Sequence, residues 1–100
     1  MEIKIEKNSQ NVAIIVVGNV RSNSEVLKIK SSFEDNVKDS KSIRLIFNDS
    51  YIIPSSLIGF LLKLIHENHI KLNVEVRQDE LYNLLERLNL IRALNIIKSI

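Results

Sequence analysis

The chain has 100 residues, 45% of them hydrophobic and 26% charged, which is enough for one hydrophobic core and too few for two. Its net charge of +2 arises from acidic and basic residues mixed along the chain, so no basic block marks a nucleic-acid-binding surface. Without cysteine it has no disulfide framework, and no signal peptide or membrane-spanning run is visible. We therefore expect a single cytoplasmic domain over residues 1–100, with no transmembrane segment.

The first elements are two strands joined by a polar turn. Ile3 and Ile5 alternate with charged residues, which is the pattern of a half-buried edge strand. After the turn, residues 12–17 are apolar at every position. Such a run is typical of an internal strand that is covered on both faces, so we predict a hairpin whose second strand lies inside a sheet.

A helix is predicted next. Ser22 and Glu25 have the spacing of a capping box, in which each side chain accepts a hydrogen bond from a backbone N–H at the start of the helix. One apolar stripe follows at helical spacing, and we expect the helix to end near residues 37–40. The stripe consists of Val26, Ile29, Phe33 and Val37.

The middle of the chain combines a strand with a very apolar helix. Residues 43–47 form a short β-branched and aromatic run, and a polar loop leads from it to a helix over about Ser55–Glu67. This helix has more apolar positions than one stripe holds. We assign Ile58, Leu61, Leu62 and Ile65 to the face toward the core, while Leu57, Phe60 and Leu64 widen the apolar surface.

The last third repeats the alternation of strand and helix. Residues 72–76 alternate like a strand, residues 78–88 carry leucines at 81, 84, 85 and 88, and residues 94–97 are short enough for a final strand. The order is therefore β-β-α-β-α-β-α-β. It predicts an α/β fold with a mixed, mostly parallel sheet, because the connections are long enough for right-handed crossovers between parallel strands.

The sequence gives little support for catalysis. Gly18 and Gly59 stand outside any glycine-rich phosphate loop. His66 and His69 are three residues apart, but no third ligand follows at a metal-binding spacing, so a solvated helix end is the simpler interpretation. The few aromatic residues are dispersed and form no stacking platform for single-stranded nucleic acid. We predict no enzyme, no cofactor, no metal and no nucleic-acid partner.

The start of the apolar helix is the most informative segment. Ser55 and Ser56 could cap this helix, or could carry a phosphate, which the positive end of the helix dipole would stabilise. Leu57, Phe60 and Leu64 are either additional core or an exposed apolar patch that docks a protein partner. Such a patch could also mediate self-association as a homodimer.

These residues resemble a STAS domain, the fold of bacterial anti-sigma factor antagonists. The resemblance covers essentially the whole chain and is carried by the segment Pro54-Ser55-Ser56-Leu57-Ile58-Gly59-Phe60 and by the leucine-striped helix ending Leu84-Leu-Glu-Arg-Leu-Asn-Leu90. In that family the loop typically reads Asp-Ser-Ser/Thr-Gly-Leu-Gly, and a partner kinase that is also the anti-sigma factor phosphorylates the second hydroxyl. By position this residue is Ser56, with Ser55 before it. Pro54 and Leu57 replace the usual Asp and Gly, and Gly59 retains the second glycine.

The resemblance implies a protein-binding module rather than an enzyme. Our first hypothesis is a regulator that switches between partners, one of them a serine kinase, with a contact surface of Pro54, Ser55, Ser56, Leu57, Phe60 and Leu64. A phosphate in such an apolar interface would cost desolvation and release the partner. The alternative is a STAS-type cytoplasmic subunit of an ABC lipid transporter, whose comparable helix is rich in leucine and which needs no phosphate.

Overall fold

A computed structural model describes residues 1–36 and 42–99. Within these ranges, strands and helices follow one another in the predicted order, and the α/β fold class is confirmed. The strands are β1 (Glu2–Lys7), β2 (Asn11–Val17), β3 (Ser42–Phe47), β4 (Leu72–Val76) and β5 (Ile96–Lys98), and the helices are α1 (Asn23–Asn36), α2 (Ser55–His66) and α3 (Asp79–Arg87).

The strands form one mixed sheet in the order β1-β2-β3-β4-β5. β1 is antiparallel to β2, and each later strand is parallel to its predecessor. Because every crossover moves one strand further in the same direction, right-handed connections put all three helices on the same face of the sheet. The domain therefore has two layers, a sheet and a helical layer, with the hydrophobic core between them.

The core is built from alternate residues of the strands and one face of each helix. On β2 these are Val12, Ile14 and Val16, which join a single cluster with buried helical residues. Ala13 and Ile46 are also buried but lie on the opposite sheet face, outside that cluster. The prediction that both faces of residues 12–17 are covered is met only in part, because on the second face Ala13 is buried while Ile15 and Val17 are half-buried. β2 is internal to the sheet, as predicted, and the buried helical residues of the described chain belong to the cluster on its other face.

The predicted capping box at α1 is confirmed for Ser22, while the Glu25 carboxylate reaches back one residue further than predicted, to Arg21. The N–H of Glu25 donates to Ser22 Oγ at 3.3 Å, and the N–H of Arg21 donates to the Glu25 carboxylate at 2.8 Å. Three members of the predicted stripe are buried against the sheet, namely Val26, Ile29 and Phe33. The fourth, Val37, and the predicted end of the helix lie outside the described residues.

The C-terminal third differs in detail from the prediction. Leu88, assigned to the leucine stripe of α3, is 50% exposed. The helix ends before it because Asn89 adopts a left-handed φ of 58° and the N–H of Leu90 donates back to the carbonyl of Leu85 at 2.9 Å. The last strand starts at Ile96, two residues later than predicted, and Leu94 is buried in the preceding turn.

The helices are short. α1 has 14 residues and α2, the most apolar, has 12. Within residues 1–36 and 42–99, none of them has the length and apolar character needed to cross a membrane.

Candidate functional site

Two loops meet at the edge of the sheet where the parallel strands end. Residues 18–22 connect β2 to α1, and residues 48–54 connect β3 to α2. They lie side by side because β2 and β3 are parallel neighbours, so both carboxyl ends reach the same edge. In open α/β sheets this edge is the usual place for a binding site.

Three hydrogen bonds tie the two loops together. Asp49 Oδ1 accepts from the N–H of Gly18 at 2.6 Å, and the Ser50 hydroxyl donates to the Gly18 carbonyl at 2.6 Å. The N–H of Tyr51 donates to Asn19 Oδ1 at 3.0 Å. The Ser50 side chain is fully buried, so its bond forms away from water and is costly to break. The loop after β3 is thus a braced segment.

Gly18 is required at this junction. Its φ is +92°, and a Cβ on it would lie 3.3 Å from the Cα of Met1. Sequence reasoning treated residues 18–19 and 48–50 only as strand terminators. A signal was available, since polar residues capable of bonding a backbone follow both parallel strands, but the sequence does not reveal which side chain meets which loop.

The two candidate serines open α2 without capping it. Pro54 is the N-cap residue, with extended backbone and no side-chain cap hydrogen bond. The backbone N–H groups of Leu57 and Ile58 donate to the Pro54 carbonyl at 3.1 and 3.3 Å. Ser55 and Ser56 are exposed, and no hydrogen bond of either hydroxyl is found within the described part of the chain. The capping interpretation is therefore wrong, and both hydroxyls face solvent.

The apolar part of this surface differs from the one predicted. Tyr51 and Ile52, in the braced loop just before the serines, are 49% and 53% exposed. Ile53 between them and Pro54 is buried and anchors the loop to the core. We call the group formed by the exposed residues Tyr51, Ile52, Ser55 and Ser56 and the half-buried Pro54 the 51–56 surface.

The predicted apolar patch of Leu57, Phe60 and Leu64 is largely inside the protein. Leu57 is fully buried and Leu64 nearly so, so neither belongs to an exposed patch, and that part of the prediction is wrong. Phe60 is half-buried. Its ring packs edge-on against Phe33 of α1 with centroids 5.6 Å apart, and the Lys30 ammonium lies 5.4 Å from the ring centre. The homodimer expected through these three residues has no exposed surface of that kind to use.

The two histidines lie at and just after the C-terminal end of α2. His66 Nε2 lies 3.2 Å from the Ala93 carbonyl, and His69 adopts a left-handed φ of 54° just after α2. Among residues 1–36 and 42–99, no group of three or more His, Cys, Asp or Glu side chains is placed to hold a metal ion. These histidines lie where α2 ends, and the end of the helix is closed by the N–H of Ile70, which donates to the Leu64 carbonyl at 2.9 Å.

Charged residues also occur near this edge, where β4 and β5 end. Arg77 Nη1 donates to Asn48 Oδ1, which links the β4–α3 loop to the loop after β3. Lys98, in β5, forms an ion pair with Asp79 at 2.6 Å. Together with the hydrogen bonds between the first two loops, these contacts link the carboxyl ends of four neighbouring strands, β2 to β5, beside the 51–56 surface.

No known protein family has a sequence profile that matches it, and no curated protein matches it.

Proposed function

We propose that this protein is a non-enzymatic, cytoplasmic regulatory module that binds another protein through the 51–56 surface. The observation that carries the proposal is the braced loop after β3, which holds Tyr51 and Ile52 half-exposed beside the free hydroxyls of Ser55 and Ser56. A loop fixed before binding loses little conformational entropy on binding, and an aromatic side chain beside an aliphatic one gives a compact apolar anchor.

The proposal keeps the resemblance to STAS domains of the anti-sigma factor antagonist type. We therefore expect the kind of partner that the resemblance implies, a protein with serine kinase activity toward this module. We also expect the phosphorylation switch that it implies at Ser56. Phosphorylation would add roughly −1.5 to −2 charges next to Ile52. At the first turn of α2 this charge favours the helix, so its expected effect is to release the partner and leave the fold intact.

The apolar contact is tested by charge substitution at matched sites. Ile52→Asp should weaken binding of a partner captured from the source cells by at least about tenfold, because it puts a carboxylate into the contact. Leu88→Asp is the control, since Leu88 has nearly the same exposure but lies at the far end of α3. Equal binding by the two variants would contradict the proposal. Recovery of the Ile52-dependent partner only from membranes, as an ABC permease subunit, would favour the transporter alternative.

The switch is tested separately once a partner is known. Ser56→Asp should bind it more weakly than Ser56→Ala, while Ser24→Asp should bind like the wild type. Ser24 and Ser56 both occupy the second position of a helix, so the added charge acts similarly on both helix dipoles. Intact mass of protein purified from its cells should show one phosphate that Ser56→Ala removes. Indistinguishable binding by Ser56→Asp and Ser56→Ala would rule out the switch but not the docking surface.

A further inference from the structure

Within the described residues, the outer edge of β1 is a strand edge without a pairing partner, and it is separate from the 51–56 surface. β1 ends the sheet, and in the described part of the chain only β2 pairs with it. The edge is six residues long, with the sequence Glu-Ile-Lys-Ile-Glu-Lys. An exposed strand edge presents unpaired backbone N–H and C=O groups, which can pair with a strand of another chain.

The hairpin determines which residues of β1 present these groups. The N–H of Asn8 donates to the Asn11 carbonyl at 3.0 Å, so this pair is hydrogen-bonded and the pairs alternate from there. Glu2, Lys4 and Glu6 therefore bond to β2, whereas Ile3, Ile5 and Lys7 direct their backbone groups outward. On β2 the same alternation turns even-numbered residues toward β3, in agreement with the bond from the N–H of Asn48 to the Val16 carbonyl.

The side chains of β1 alternate in the same way. Ile3 and Ile5 lie on the helical face, opposite Val16 and Ile14, while Lys4 and Glu6 lie on the open face. Ile5 is 38% exposed although it belongs to the helical face, because no strand covers it on the outer side. The edge thus offers three residues whose backbone groups face outward, one exposed isoleucine on the helical face, and three charges of alternating sign, Glu2, Lys4 and Glu6, on the other face.

We propose that two copies of this chain associate by pairing β1 with β1, antiparallel, with Ile5 opposite Ile5 of the second copy. In this register Lys4 lies opposite Glu6 of the second copy, and Glu6 opposite Lys4. Ile3 lies opposite Lys7, whose aliphatic stem can cover it. All three outward-facing residues then exchange backbone hydrogen bonds, and the two sheets become one continuous sheet with a two-fold axis at Ile5.

Charge selects this register over its neighbour. Antiparallel partners must lie on the same face, so the register can shift only in steps that pair residues of equal parity. In the next register, Glu2 faces Glu6 and Lys4 faces Lys4, which are repulsive pairs. A further step restores opposite charges, with Glu2 facing Lys4, but leaves Lys7 without a partner. The register centred on Ile5 combines full backbone pairing with attractive charges.

The charged pairs also lie where their side chains come close. Lys4 and Glu6 would form non-hydrogen-bonded pairs, in which facing side chains approach more closely than in hydrogen-bonded ones. Charges on an edge strand usually oppose edge-to-edge pairing. Here their alternating sign makes the edge complementary to itself, while the like-charged neighbouring register stays disfavoured.

Sedimentation equilibrium of charge variants tests the pairing. The wild type should show a concentration-dependent species of twice the 11.5 kDa chain mass. Lys4→Glu and Glu6→Lys should each raise the dimer dissociation constant by about tenfold or more, because both symmetric pairs become repulsive. An equimolar mixture of the two variants should dimerise like the wild type, since Glu at position 4 then faces Lys at position 6. This rescue cannot arise if a variant is misfolded.

A backbone variant gives an independent test. Ile5→Pro removes an N–H that β2 does not use, so the hairpin can still form while the central hydrogen bonds of the dimer are lost. Ile5→Val retains the N–H and is the control. We expect Ile5→Pro to be a folded monomer by circular dichroism and Ile5→Val to dimerise. A wild type that stays monomeric at millimolar concentration would overturn the proposal, as would a dimer that neither charge variant weakens.

Discussion

Glu25 ties the start of α1 to the preceding loop through its carboxylate. The N–H of Arg21 donates to this carboxylate and holds the pKa of Glu25 below its usual value. The N-terminal ammonium of Met1, 3.4 Å away, acts in the same direction, while desolvation opposes both. The charged form is therefore favoured in the folded protein, and the protonation of this one residue is linked to stability.

This linkage predicts a pH-dependent effect of Glu25→Gln. Because the folded-state pKa is lowered, the carboxylate stabilises the fold above the ordinary pKa of glutamate, and this contribution disappears as the pH falls through the folded-state value. Glutamine can still accept the Arg21 hydrogen bond, so the variant removes only the charge. Urea midpoints should be lower for the variant at about pH 7, and the difference should shrink at a second, acid pH below the ordinary pKa of glutamate. Glu34→Gln, on an exposed position of α1, is the control. A constant difference at both pH values would contradict the assignment.

At the scale of elements, periodicity predicted the order and approximate bounds of the strands and helices, but not the rotation of α2. Seven of its 12 residues are apolar, so two overlapping stripes fit the pattern equally well. The structure turns Leu57, Leu61 and Leu64 toward the sheet and leaves Ile58 half-buried at the flank. The rotation depends on packing against both the sheet and α1, which local sequence does not encode. The exposed apolar patch predicted for Leu57, Phe60 and Leu64 was therefore misassigned.

The same limit applies to the 51–56 surface. Its serines were found from the sequence because they open a helix after a proline. Tyr51 and Ile52 were missed, since two apolar residues in a loop give no periodic signal. Their exposure follows from hydrogen bonds between Asp49, Ser50 and the loop after β2, which are contacts between residues about thirty positions apart.

Alanine substitutions in α2 test its rotation. Leu57→Ala should lower the free energy of unfolding by about 2–5 kcal/mol, because it leaves a cavity between helix and sheet. Ile58→Ala should cost less, about 1 kcal/mol, because its side chain is already half-exposed. Chemical denaturation followed by circular dichroism measures both. The opposite ranking would mean that α2 is rotated by about one residue and that Leu57 faces outward, as the apolar-patch hypothesis required.

In the whole molecule, all described helices pack on one face of the sheet. We expect the middle strand, β3, to be the most stable part of this sheet. β3 pairs on both sides and buries Ile43, Leu45 and Phe47 in the core. β5 has only three residues and pairs only with β4 among the described strands. The 51–56 surface and the outer edge of β1 thus belong to different parts of one sheet. The 51–56 surface lies at the carboxyl end of the central strand, where the scaffold is firm, and self-pairing uses an edge.

This distribution predicts a specific pattern of amide hydrogen exchange, measured by NMR on dilute protein. Amides of β3 should exchange most slowly, because they open only with the whole core, and those of β5 should exchange much faster. Within β1, the N–H groups of Lys4 and Glu6 should be protected by β2, while that of Ile5 should exchange rapidly. Raising the protein concentration should then slow exchange at Ile3, Ile5 and Lys7, since these outward N–H groups of β1 gain partners in the dimer. Protection of Ile5 at every dilution would instead mean that another segment of the same chain covers this edge.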